Sequence, residues 1–276
     1  MPGILYIVTT PIGNLSDMTP RAAATFEAVD FIAAEDTRVT VKLLNHLGLK
    51  KPMISYYEHN ATQRAEEIFA RILAGESCAL CSDAGVPAIS DPGEALVMQA
   101  HQMGIRVVPI PAACAAIAAL CVSGQITSRF VFEGFLPQNR QQRNKRLEAL
   151  LLEQRTIIFY EAPHKLLRTL QDFQRSFGES RSLTICRELT KLHEEIIKTT
   201  IGEALQLYTQ TSPRGEFVLV LEGAPPEEKP EITLEEAVAI ALNLAQNEGL
   251  SASEAAKKAA QESGISKSII YKSMQG

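Results

Sequence analysis

Short apolar runs alternate with amphipathic segments along most of the chain. ILYIVTT (4–10), FIAAED (31–36), SCALCS (77–82) and RVVPI (106–110) read as strands, each ending in turn-forming residues. Between them, helical spacing marks 19–28, 38–47, 62–74 and 94–103, with glycine closing three of these segments at positions 48, 75 and 104. Thr19-Pro20 supplies an N-cap and a first helical residue. Strand-helix alternation with near-continuous apolar strands predicts a mostly parallel sheet covered on both faces.

The pattern changes after about residue 123. RFVFEGFLP (129–137), RTIIFY (155–160), SLTICREL (182–189), EEIIKTT (194–200) and GEFVLVLEG (215–223) read as strands. A long helix starts at NRQQRNKR (139–146) and another spans 164–176. This predicts a second α/β domain with more antiparallel pairing. A Pro- and charge-rich linker, APPEEKPE (224–231), precedes three short helices at 233–246, 251–262 and 266–274. The outline is helix-turn-helix-like, although an interaction or dimerisation module fits the pattern equally. The expected organisation is an N-terminal α/β domain (1–123), a second α/β domain (124–224) and a C-terminal helical module (231–276).

Residues 107–128 carry no charge. Two prolines open this run, leaving a helical part of about 11 residues, far short of a ~30 Å bilayer core. A strand followed by a buried helix is expected. The first residues lack the charged start of a signal peptide. The five cysteines, 78, 81, 114, 121 and 186, lie in apolar surroundings and read as reduced core residues of a cytoplasmic protein. Cys78 and Cys81 alone do not complete a zinc site, and no metal is expected.

The 276 residues carry a net charge of −5, so nucleic-acid contact would need a local basic patch. Four predicted strand ends bear unusual punctuation: Pro11-Ile12-Gly13-Asn14, Glu35-Asp36-Thr37-Arg38, Ser82-Asp83-Ala84-Gly85 and Pro109-Ile110-Pro111-Ala112. Ligands of open α/β sheets bind at such ends. Neither the dinucleotide nor the P-loop fingerprint is present, so a ligand held by its phosphates is not indicated.

These pieces resemble a known family when taken in order. Pro11-x-Gly13-Asn14-Leu15, Ala34 to Arg38, Tyr57-Glu58-His59-Asn60, Ser82 to Pro87 with Ser90-Asp91-Pro92-Gly93, and Glu133 to Pro137 are followed by Phe159 to His164, Arg187 to Lys191 and Gly215 to Val218. The set is similar to the small-subunit ribosomal RNA (cytidine-2′-O)-methyltransferases, within the tetrapyrrole-methylase-like superfamily. That resemblance implies a two-domain α/β fold with the helical module appended, S-adenosylmethionine as cofactor, 16S RNA in the small subunit as substrate, and a homodimer. One departure stands out: Pro111-Ala112-Ala113-Cys114-Ala115 replaces the superfamily's usual Pro-Gly-Pro start, adding a methyl group and restricting φ.

Carried onto this chain, the resemblance implies cofactor contacts at Pro11, Asp83, Gly85, Val86, Cys114, Ala115, Tyr160, Glu161 and Leu189. A ribose hydroxyl needs an acceptor for its proton; Glu35, Asp36 and Glu188 are candidates, with Arg38 beside them and His59 a further choice. Substrate candidates are His59, Arg140, Arg143, Lys145, Arg146, Arg187 and Lys191, because arginine and lysine suit phosphate. Lys257, Lys258, Lys267 and Lys272 offer a second basic surface. Two other readings compete. A small-molecule methylase explains the sheet but not the helical module, and a non-enzymatic nucleic-acid-binding regulator leaves the four strand ends without purpose.

Overall fold

The computed structural model describes residues 2–226 and 232–275. Its first sheet has β1 (Ile4–Val8), β2 (Phe31–Ala34), β3 (Met53–Ser55), β4 (Cys78–Cys81) and β5 (Arg106–Ile110), ordered β3-β2-β4-β1-β5 and parallel throughout. Helices α1 (Pro20–Ala28), α2 (Thr37–His46), α3 (Ala61–Leu73) and α4 (Gly93–Gln102) connect the strands. All of β4 is buried, as a central strand covered on both faces must be. Its side chains alternate: Cys78 and Leu80 pack with Ile68, Ile72 and Leu96, while Ala79 and Cys81 pack with Phe26 and Leu44. The two cysteines therefore point to opposite faces, as their spacing predicts.

The second sheet contains β6 (Phe130–Phe135), β7 (Thr156–Glu161), β8 (Ser182–Arg187), β9 (Glu195–Thr200) and β10 (Phe217–Leu221), ordered β6-β7-β10-β8-β9. Here β6 runs parallel to β7, and the other three pairings are antiparallel. Helices α6 (Arg140–Ala149), α7 (Pro163–Phe177) and α8 (Ile201–Gln210) accompany it. Leu147, Leu170, Phe173 and Ile201 form one core with Phe159 and Leu219. The opposite face is covered by α5 (Ala115–Val122), through Ala116, Ala119 and Leu120 against Ile158, Val218 and Val220.

Two expectations change. Helix α5 is only half-buried: Ala116, Ala119 and Leu120 face the sheet, while Ile117 and Val122 are 45% and 49% exposed and Cys121 is exposed as well. The helix is apolar on every side, so packing against one sheet leaves hydrophobic surface outside. The helix in the run 107–128 is also shorter than expected, 8 residues that start only at Ala115, with Gly124 lying past its end as the sequence predicts. Strand β3 and helix α8 are additions to the sequence reading.

Both sheets lie in one compact unit, Met1–Ala224, and Pro225–Gly276 forms a second. The latter holds α9 (Leu234–Asn247), α10 (Ala252–Ser263) and α11 (Lys267–Ser273). Its core is made of Ala237, Ala241, Ala255, Ala256 and Ala259 with Ile270. Thr233–Glu236 and Ser251–Glu254 form reciprocal caps at the starts of α9 and α10, satisfying backbone N–H groups that a helix leaves unpaired. Ser266 precedes α11 without a side-chain cap bond. Among the described residues, no helix is long and apolar enough to cross a membrane.

Candidate active site

The carboxyl ends of β2 and β4 and the amino end of α5 meet the second sheet around a cleft of about 560 Å³. Placement at strand ends follows the rule for open α/β sheets, and the volume suits a small organic ligand. Below it, Thr10 and Gly85 exchange backbone hydrogen bonds of 2.9 and 3.1 Å, tying the exit of β1 to the loop after β4. In that loop Ala88 and Ser90 take left-handed φ values of 68° and 65°. Asp91 holds the conformation, its Oδ1 accepting from the N–H groups of Ala88 and Gly93 at 2.9 and 2.7 Å. Two aspartates in successive turns thus have separate tasks. Asp91 shapes its own loop, whereas Asp83 reaches across to the next strand.

That crossing is reciprocal. The Asp36 N–H donates to Asp83 Oδ1 at 3.0 Å, and the Asp83 N–H donates to Glu35 Oε2 at 3.3 Å. Partial burial pushes the carboxyls of Glu35, Asp83 and Asp91 above their ordinary range. For Glu35 the neighbouring charges of Asp83 and Asp91 add to the effect. Three acids in one cleft are thereby made reluctant to hold unpaired negative charge.

The facing wall is aromatic. Tyr160 makes edge contacts with Phe132 and Phe135 at ring separations of 5.0 and 5.6 Å. Its hydroxyl accepts from the Ala116 N–H at 3.2 Å, and burial pushes its pKa up to about 12. Glu161 is buried; one carboxylate oxygen accepts from its neighbour's Ala162 N–H at 2.9 Å and the other from the Thr169 hydroxyl. Strand β6 changes register between Phe132 and Gly134. This bulge brings Gly134 against the Ser90 loop.

Of the residues expected at a cofactor, Asp83, Gly85, Val86, Cys114, Ala115, Tyr160, Glu161 and Leu189 line the cleft. Pro11 does not; its neighbour Ile12 takes that place. Glu35 also lines it, whereas Asp36 sits at the start of α2, accepting from the Arg38 N–H at 2.8 Å. The Arg38 guanidinium closes on the same carboxylate at 2.6 Å and remains 88% exposed. Those bonds hold the Asp36 pKa at about 2. Glu188 braces a turn: its Oε1 accepts from Lys191 Nζ and from the Glu216 N–H, both at 2.9 Å. Although burial raises the Glu188 pKa, the Lys191 ammonium and the Glu216 N–H outweigh it, and the net shift is downward. Lys191 also bonds Glu216.

The basic residues separate sharply. Arg140 and Lys145 are exposed on α6. Arg146 pairs with the buried carboxylate of Glu133. Arg143 must leave the phosphate-binding set: it is 3% exposed, and its guanidinium donates to Asp172 at 2.5 Å and Thr169 at 2.7 Å inside the protein. Arg187 donates to the Arg214 carbonyl oxygen at 2.7 Å and lines a separate depression with Tyr208 and Thr211. His59 is exposed beside Tyr57, outside the cleft. Sequence reasoning missed Phe135, His164, Glu216 and Val218 as cleft residues. The motifs Glu133–Pro137, Phe159–His164 and Gly215–Val218 contained them, but nothing local in those motifs shows which side chain faces inward.

The chain's sequence and fold are matched in known proteins. The sequence model of the Tetrapyrrole (Corrin/Porphyrin) Methylases matches residues 4–205. A Synechocystis protein named Ribosomal RNA small subunit methyltransferase I is 50% identical over 269 residues, covering 98% of this chain and 96% of its own. Its namesake in Escherichia coli O157:H7 is 44% identical, with coverages of 98% and 94%. In fold, the chain resembles uroporphyrin-III C-methyltransferase from Thermus thermophilus crystallised with S-adenosyl homocysteine, with TM-score 0.58, 14% identity, and 80% and 97% coverage of the two chains. Cobalt precorrin-4 methyltransferase gives TM-score 0.59, 15% identity, and coverages of 78% and 93%. The chain belongs to the tetrapyrrole (corrin/porphyrin) methylase family, in its ribosomal RNA small subunit methyltransferase I branch.

Proposed function

We propose that this chain transfers a methyl group from S-adenosylmethionine to the ribose 2′-oxygen of a cytidine in small-subunit (16S) ribosomal RNA. One observation carries the reading: Glu35 lies in the wall of a cleft whose chemistry fits the cofactor, in a chain whose relatives are named for small-subunit RNA methylation. The fit is physical. Three carboxyls pushed upward by burial favour a ligand bearing positive charge. Ile12, Val86, Leu189 and the Tyr160 ring give apolar walls, and Cys114 at the start of α5 makes no side-chain cap bond of its own.

When bound, the cofactor supplies a methyl group already activated by its positive sulfur. The protein's part is then alignment and proton handling. Glu35 accepts one backbone hydrogen bond at Oε2, which leaves Oε1 to receive the 2′-hydroxyl proton. Its raised pKa makes it a better proton acceptor than an ordinary carboxylate. Asp36 orients the exposed Arg38 in the first turn of α2. Arg140 and Lys145 on α6 provide exposed charge for phosphates. In the C-terminal unit, Lys257 and Lys272 are exposed, while Lys258 bonds Glu248 and Lys267 bonds Ser253. A cytoplasmic site of action accompanies such a substrate.

We infer also that two copies pair through α5. Ile117 and Val122 are exposed on it, and Ile126, Phe130 and Ile196 are exposed hydrophobics of the same unit. Ile196 stands opposite Cys186 in the β8–β9 ladder, and the Cys186 thiol contacts the Ala119 carbonyl of α5, so Ile196 shares the α5 side of the sheet. Apolar surface of this kind marks an interface.

The test offers labelled cofactor to naked 16S RNA, to assembled small subunits and to uroporphyrinogen. Label in either RNA sample, on a 2′-oxygen of cytidine, is expected. Label in uroporphyrinogen alone would replace this reading with the small-molecule one, and RNA binding without any transfer would favour the regulator.

A further inference from the structure

Behind the cleft runs a buried polar chain from Glu161 to the surface. The Thr169 hydroxyl donates to Glu161, Arg143 donates to the Thr169 oxygen at 2.7 Å and to Asp172 at 2.5 Å, and Arg175 closes on Asp172 from outside. Glu161, Thr169, Arg143 and Asp172 are all buried. Three separate elements, β7, α6 and α7, contribute to it.

The direction of every bond is fixed by chemistry. A guanidinium has donors only, and a carboxylate accepts. The Thr169 hydroxyl, placed between them, must therefore accept from Arg143 and spend its single proton on Glu161. With the Ala162 N–H on the other oxygen, the Glu161 carboxylate is pinned at both ends. Each oxygen keeps a further lone pair, and Glu161 is the member of the chain that lines the cleft.

Stability alone does not explain such a device. Buried ion pairs are commonly replaceable by apolar residues of similar volume without loss of stability, and the surroundings here are already rich in Leu and Phe. The geometry points to Thr169 and Arg143 as positioning residues that set the Glu161 carboxylate to accept a hydrogen bond from a donor group of the bound cofactor. The inference rests on the cofactor reading above. It gives an internal duty to an arginine that sits among surface cations in the sequence.

Thr169→Val removes the hydroxyl at nearly constant volume, and Thr169→Ser restores it. Calorimetry with S-adenosyl homocysteine, steady-state kinetics on the RNA substrate and thermal unfolding are measured for the full-length parent and both variants. Thr169→Val should raise the cofactor KM and Kd about tenfold, as expected when a buried acceptor is no longer held in place. Turnover at saturating cofactor should change by less than about twofold, since the reacting groups are untouched. Thr169→Ser should bind like the parent. A Thr169→Val protein that melts earlier yet binds cofactor like the parent overturns the inference and leaves the chain a packing feature. So does a Thr169→Ser variant as weak as the valine. If the parent itself binds no cofactor, the functional reading fails before this one is reached.

Discussion

Gly134 and Ser90 face each other without room for one methyl group. A Cβ at 134 would stand 2.8 Å from Ser90 Oγ, and the Gly134 φ of +61° is one that L side chains rarely adopt. Gly134→Ala should therefore cost roughly 1–3 kcal/mol in urea unfolding. It should also weaken cofactor binding, because Ser90 lines the cleft. Ser90 is itself left-handed, so adding Ser90→Gly should recover part of the loss. Strictly additive effects of the two substitutions would mean that the contact carries no strain.

Glu35 and Asp36 are neighbours with opposite expectations. Glu35→Gln should lower single-turnover methylation by ~10²–10⁴-fold. In the parent the rate should rise with pH through a midpoint above 4.5, the ordinary glutamate value, because burial raises the Glu35 pKa. That limb should vanish in Glu35→Gln. Asp36→Asn should leave the rate near the parent's and lower the melting temperature. Its contribution to stability is present above pH 3.8 and fades as pH falls toward about 2, since the folded pKa is depressed by Arg38. A rate lost in Asp36→Asn and kept in Glu35→Gln would exchange the two roles.

Arg143 and its neighbours on α6 should respond to different assays. Arg143→Met takes one of two arginine partners from the buried Asp172, leaving Arg175, and should destabilise the fold by roughly 1–3 kcal/mol. Arg140→Ala and Lys145→Ala should barely affect stability, but each should reduce the salt slope of log K for RNA by roughly 0.7–0.9. Salt titrations of RNA binding alongside urea melts of the same proteins separate the two behaviours.

Ile117→Asp places charge on the exposed side of α5. Sedimentation should show a dimer for the parent and a monomer for the variant at equal concentration. An unchanged sedimentation coefficient would assign this apolar face to something other than a second copy.

A chain ending at Pro226 retains the whole first unit and should bind S-adenosyl homocysteine like the parent. Loss of the four lysines should lower its salt slope for RNA. Identical slopes would give the C-terminal helices a role apart from phosphate.

Much of the frame was legible because its signals are local. RVVPI matches β5 residue for residue, and Thr19-Pro20 starts α1 with the Thr19 hydroxyl oxygen accepting from the Ala22 N–H. Strand β3 has three residues, too few to display alternation. Helix α8 carried a readable cue, the Thr200–Glu203 capping box, hidden by the β-rich run before it. The site was legible where a motif contributes backbone, as at Ser82–Asp91. It was not where long-range pairing decides: Glu216 and Val218 reach the cleft because β10 lies between β7 and β8. Arg143 shares its composition with Arg140 and Lys145, and only its spacing with the buried Leu147 and Leu150 marks the inward face.

Helix α5 follows the last strand of the first sheet in the chain, yet it is fastened to the second. Its start is held by Tyr160, and the residues just past its end are held by Thr184, whose hydroxyl donates to Ser123, and by Lys198, which donates to Gly124. Ile12, from the exit of β1, packs in the same cluster. The segment joining the sheets is therefore a rivet rather than a hinge. Opening the cleft like a jaw would tear out an apolar rod clamped at both ends. What strain the cleft wall holds lies instead in the Ser82–Asp91 loop, where Asp91 Oδ1 pins the left-handed Ala88 to Gly93 and the Thr10–Gly85 pair ties down the turn before it.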